Sequence, residues 1–169
     1  MDNKFEDLKL RTAFACMCCD GDIAPEEVAL IRVIAHSLAL FANGGIDERL
    51  HELLAEINEK GTLFLKEFLK DIASESLTAD EELALLSIAV KTIQADNRIE
   101  YSEIKFFKAL RANMKVVDDE TILSHVEGIE DYYLSQDIRV EQWQLFENYL
   151  ESVNLQPFPK GTFETIAAR

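Results

Sequence analysis

The feature that most constrains this chain is that part of it is written twice. Shifting the sequence by 76 residues lays Asp20 on Asp96, Ile23 on Ile99 and Glu27 on Glu103. The flanks obey the same shift. Leu10, Ala13, Phe14 and Met17 fall on Leu86, Ala89, Val90 and Ile93, one apolar helix face at i, i+3, i+4 and i+7 in each copy. Beyond the shared positions, Val28, Leu30, Ile31 and Ile34 fall on Ile104, Phe106, Phe107 and Leu110. Each copy therefore reads as a helix, a tight corner written D-x-x-I-x-x-x-E, and a second helix. Two such copies in 169 residues predict an all-α, single-domain helical bundle with an internal pseudo-two-fold helix-corner-helix repeat.

Helical periodicity runs through the rest of the chain. Helices are expected at about 3–19, 25–42, 46–59, 62–75, 79–95, 101–114, 118–134 and 139–153, so the bundle has seven or eight. Pro25 suits a first helical position. The "NGG" of Asn43–Gly45 and then Gly61 are stop signals. Thr78 with Glu81 three residues on spells a capping box, Asp118 can cap a seventh helix, and Gly128 can interrupt it. Residues 1–155 form the helical domain on this reading. Residues 156–169 hold two of the three prolines and are expected as an extended tail.

The charge balance narrows the partners. Against 32 acidic residues stand 17 basic ones, a net charge of −15. Such a chain repels phosphate backbones and anionic lipid surfaces, and attracts cations and basic protein patches. Nucleic acid is not expected as a partner. The longest uncharged run, Val33 to Ile46, is too short for a spanning helix, so no direct membrane insertion is expected. "MDNKFEDLK" has no apolar stretch of the kind a signal peptide needs. Three clustered cysteines do not make a disulfide framework. A reducing, cytoplasmic location is the expectation.

The first corner, "CDGDIAPEEVALI", gathers Asp20, Asp22, Glu26 and Glu27 around a glycine and a proline. A calcium-binding EF-hand loop would explain Asp20, Gly21, Ile23 and Glu27 as positions 5, 6, 8 and 12. Positions 1 and 3 would then be Cys16 and Cys18, and in the second copy Thr92 and Gln94, with Asn97 in place of the glycine. The oxygen ligands that open the loop are missing twice, which excludes the EF-hand. Two readings remain for the carboxylates. As third residues of their helices, Glu27 and Glu103 can accept the N-cap N–H and favour the positive helix end, while Asp20 and Asp96 bond turn amides. Alternatively the same groups cap and also bind a hard divalent cation, Ca²⁺ or Mg²⁺. The candidate metal ligands are Asp20, Asp22, Glu27, Asp96 and Glu103. The first corner is the better candidate, because Asp22 and Glu26 add oxygens where the second has Arg98.

The segments "AFACMCCDGDIAPEEVALIRVIA" and "LALLSIAVKTIQADNRIEYSEIKFFKAL" resemble the two halves of the TerB-like, or tellurite-resistance TerB, family. The resemblance covers roughly residues 5 to 155. It departs at Cys19, where the family usually has Ala, and at Asn97, where it has Gly. It implies an all-helical domain with paired acidic corners proposed to bind metal, and an association with tellurite and chemical-stress resistance. The expected function is thus a non-enzymatic, acidic stress-response module that acts through protein partners. An alternative is a stand-alone co-chaperone-type interaction domain like the N-terminal domain of membrane-anchored J-proteins, although no H-P-D motif is present. A hydrolase or redox enzyme would need a nucleophile–base pair, and none can be named.

Other chemistry-bearing residues read as structure. Cys16 and Cys18 point about 200° apart on a helix, so "CMCC" makes no joint metal site, and its cysteines read as small buried hydrophobes. His36, His51 and His125 lack metal-ligand spacing. Tyr132, Tyr133, Trp143, Phe146 and Tyr149 read as core.

Overall fold

The computed structural model describes residues 3–19, 21, 23–38, 44–97, 99, 101–134 and 158. Seven helices follow one another: α1 (Asn3–Cys18), α2 (Pro25–Ser37), α3 (Ile46–Lys60), α4 (Thr62–Ser74), α5 (Ala79–Ile93), α6 (Tyr101–Ala112) and α7 (Asp119–His125). A single 3₁₀ turn at Asp131–Tyr133 closes the described run. No strand occurs among the described residues, so the fold is all-α. No described helix is long and apolar enough to cross a membrane.

The start and stop signals act as their chemistry requires. Pro25 opens α2. The Thr78 hydroxyl accepts the Glu81 N–H and the Glu81 carboxylate returns to the Thr78 N–H, which completes the capping box of α5. Asp118 accepts the Thr121 N–H at 2.8 Å. Its bonds to Thr121 hold its carboxyl below the ordinary value. Gly61, at φ 62°, ends α3 and leads directly into α4. Without a Cβ it enters the left-handed region at no steric cost.

α1 is the centre of the bundle. It packs most extensively against α5 and also touches α2, α4 and α6. The predicted face is fully dry: Leu10, Ala13, Phe14 and Met17 on α1 and Leu86, Ala89, Val90 and Ile93 on α5 are all completely buried. α3 and α4 form a hairpin, and α4 reaches α1 and α6. Phe14 meets Phe64 edge-on at 5.7 Å, and Phe68 stacks on Phe106 at 6.2 Å. Ion pairs staple the rim: Arg49 grips Asp7 through both oxygens at 2.8 and 2.9 Å, Arg11 holds Asp71, and Arg32 holds Asp47.

One buried carboxylate has no counterpart in the sequence reading. Glu82, in the first turn of α5, is 2% exposed. Its oxygens accept the backbone N–H groups of Lys115 at 2.6 Å, Val116 at 2.9 Å and Val117 at 3.0 Å. The Lys115 ammonium in turn bonds the Glu75 carbonyl at 2.8 Å. The connection between α6 and α7 is thereby folded onto the N-terminal end of α5.

Three expectations need correction. α2 stops at Ser37 rather than near 42, because Leu38 takes extended backbone (φ −86°, ψ 131°). α7 ends at His125 rather than 134. Gly128 sits at φ 86°, and the Gln94 amide donates to its carbonyl at 2.8 Å, so the chain turns there and resumes only as the 3₁₀ turn. Tyr133 is core, edge-on to Phe107 at 5.3 Å, with its phenol pushed up to about 12 by burial, but Tyr132 is 41% exposed. The expected helix at 139–153, with Trp143, Phe146 and Tyr149, lies outside the described residues, as does the tail apart from Phe158.

Candidate functional site

The two corners share a backbone device. In the first, the Gly21 N–H donates to the Cys18 carbonyl at 3.0 Å, and Gly21 has φ 84°. In the second, 76 residues on, the Asn97 N–H donates to the Gln94 carbonyl at 3.2 Å, and Asn97 has φ 61°. Asn97 is the one described non-glycine residue with positive φ. Asparagine tolerates this region better than most side chains because its short amide bonds locally. The departure from glycine in the second copy therefore leaves the turn intact. Asn97→Val is expected to lower stability by roughly 1–2 kcal/mol through left-handed backbone strain, and Asn97→Gly is expected to be neutral or mildly stabilising. Thermal melts of the two variants check this. Equal loss in both would mean that the side chain, not the backbone, holds the corner.

Each corner delivers a glutamate to the third position of the next helix, Glu27 in α2 and Glu103 in α6. Both lie on the apolar stripe of their helix and both are buried, at 5% and 3% exposure. Glu27 Oε1 accepts the Ala24 N–H at 2.9 Å. Ala24 has no side-chain acceptor to return the bond, so its carbonyl takes the Glu27 N–H at 3.0 Å instead. The helix dipole at these N-termini favours negative charge and offsets part of the desolvation cost.

Cys16 connects the two corners. It is fully buried, and its thiol is pushed far above the usual range, first by burial, then by the Glu103 and the Glu27 carboxylates. One sulfur thus feels both corner glutamates, which come from halves of the chain 76 residues apart. A thiol raised this far stays protonated at neutral pH and is a poor nucleophile. Cys18 and Cys19 are buried and free as well, and the Cys19 thiol donates to the Cys16 carbonyl at 3.2 Å.

Of the five candidate ligands, Glu27 and Glu103 are buried and Asp96 sits half-buried in the second corner. Asp20 and Asp22 lie outside the described residues. Among the described residues no three His, Cys, Asp or Glu side chains are grouped so as to hold a metal ion. The aligned corner isoleucines differ in burial. Ile23 packs against the core from a half-buried position, whereas Ile99 is 41% exposed and does not plug its corner. His36 and His125 are exposed, and His125 bonds within α7 to the Thr121 carbonyl.

Sequence reasoning missed Glu82, although a signal existed. Glu82, Leu85, Leu86, Ala89, Val90 and Ile93 share the buried face of α5, so a glutamate stands where the stripe calls for an apolar residue. Compared with known proteins, the chain matches no family model, no curated protein and no solved structure.

Proposed function

We propose that this protein is a non-enzymatic, acidic helical module of the TerB-like kind, which takes part in a stress response through protein partners. On this reading its corner carboxylates first fix the architecture and then take a hard divalent cation, Ca²⁺ or Mg²⁺, at the first corner. The observation that carries the reading is that each corner buries a glutamate in the first turn of the helix it opens, Glu27 in α2 and Glu103 in α6. An ionised carboxylate buried at such a corner is stabilised by a cation placed beside it. The net charge of −15 supports both a cation and a basic protein surface as partners.

A site of few oxygen ligands binds weakly, with a dissociation constant on the order of 10⁻⁴ to 10⁻³ M. Calorimetric titration of chelator-treated protein with Ca²⁺ and Mg²⁺ tests it. Asp20→Asn and Glu27→Gln are each expected to abolish the binding heat. Asp96→Asn is expected to matter less, because Arg98 already stands beside it in sequence. Replacing Cys16, Cys18 and Cys19 together by Ser should leave hard-cation affinity unchanged, since thiols are soft donors.

A further inference from the structure

Phe158 is held against α3 from 100 residues away. The Asn58 side chain bonds both backbone groups of this one residue. Its Nδ2 donates to the Phe158 carbonyl at 3.0 Å, and its Oδ1 accepts the Phe158 N–H at 2.7 Å. Phe158 is 7% exposed and belongs to the main core cluster. An amide that pairs with the N–H and C=O of a single residue does what a neighbouring strand does for an extended peptide. It reads backbone, while burial in the core cluster favours an apolar side chain at that position.

The sequence around this residue is "LQPFPKGT", with proline on both sides of the phenylalanine. The residue before a proline is driven to extended backbone, and a proline offers no N–H of its own. Phe158 therefore carries the one amide N–H of the Pro-Phe-Pro triplet, and that N–H goes to Asn58. The contact has two parts of a peptide-recognition site, a bidentate backbone reader and a buried aromatic anchor, and the anchor stands between prolines in the sequence. It lies on α3, an element that carries neither acidic corner.

We propose that the Asn58 site on α3 is a peptide-binding site, filled here by the chain's own Phe158, and that its partner is a protein segment in which an aromatic residue stands between prolines. The chain's own tail is then a self-ligand that competes with that partner. A tethered ligand acts at an effective concentration in the millimolar range. A partner segment free in solution must exceed it, so the wild-type chain binds such a segment weakly and a chain lacking the anchor binds it more tightly.

The test uses a fluorescent peptide spanning residues 154–162 and full-length protein. Anisotropy titrations compare the wild type, Phe158→Ala, and Phe158→Ala combined with Asn58→Leu. The expected result is saturable binding to Phe158→Ala, at least about tenfold weaker binding to the wild type, and loss in the double variant. The same peptide with alanine for phenylalanine should not bind any of them. Equal binding to all three proteins, or none to a folded Phe158→Ala chain, overturns the proposal. If Phe158→Ala does not fold, Phe158→Leu takes its place with unlabelled peptide as competitor. Failure of the peptide to displace that tail, read as an unchanged Asn58 side-chain amide signal by NMR, overturns it equally.

Discussion

Glu82→Ala is expected to destabilise the fold by about 3 kcal/mol or more. The substitution removes the acceptor of three backbone N–H groups at once, those of Lys115, Val116 and Val117. A buried donor left without a partner costs roughly 1–3 kcal/mol. The Val117 N–H is buried and bears the full penalty, while Lys115 and Val116 are exposed residues whose amides can turn to water. For a domain of this size each kcal/mol shifts the melting temperature by about 2–4 °C, so a fall of roughly 6–12 °C is expected. Glu82→Gln should recover only part of it. Its one carbonyl oxygen can serve Val116 and Val117, but its NH₂ then faces the Lys115 N–H, donor against donor. Amide exchange at Val117 gives a local check: protection there should collapse in Glu82→Ala while the centre of α1 stays protected. Unchanged protection at Val117 would show that the carboxylate is not what holds the connection.

Phe14→Ala should cost about 3–5 kcal/mol, which is the usual range for emptying a phenylalanine site in a core. Phe14 is completely buried on the central helix and loses its edge contact with Phe64 as well as its contacts across the interior. Denaturant unfolding measures the loss as a lower midpoint at unchanged slope. Phe14→Leu keeps most of the apolar volume and should lose much less. A small loss for Phe14→Ala would mean that α1 is not the central packing element.

The residues behind these two expectations differ in how well the sequence announced them. Phe14 was legible because α1 and α5 repeat one apolar spacing, and local spacing is what a helix turns into a face. The starts of α2 and α5 were legible for the same local reason, since Pro25, Thr78 and Glu81 act within one turn of where they stand. The N3 placement of Glu27 and Glu103 was legible too. What the sequence could not show was the coupling through space. Glu82 accepts from amides more than 30 positions later, and Cys16 feels a glutamate on α6 as well as one on α2. Asn58 and Phe158 are 100 positions apart. Hydrophobic periodicity carries no information about such pairs. It does flag them indirectly: Glu27, Glu82 and Glu103 are all glutamates in the first turn of a helix, on the stripe that faces the core. α7 was overextended because its apolar pattern continues past Gly128, while the chain already leaves the helix at Val126 (φ −93°, ψ 111°) and turns at Gly128.

If the carboxylates of the first corner bind a hard divalent cation as proposed, they do more than cap α2, and the ion stabilises the fold. A thermal melt of chelator-treated protein, with and without about 10 mM Ca²⁺ or Mg²⁺, tests it most directly. With a dissociation constant on the order of 10⁻³ M, that concentration adds about 1.4 kcal/mol of stability by mass action. The melting temperature should then rise by roughly 3–6 °C, and the rise should vanish in Asp20→Asn and in Glu27→Gln. Equal ionic strength from NaCl should not reproduce it. If neither ion moves the melting temperature of the wild type, while both substitutions still lower it, the corner is a capping structure and the cation-binding account is wrong.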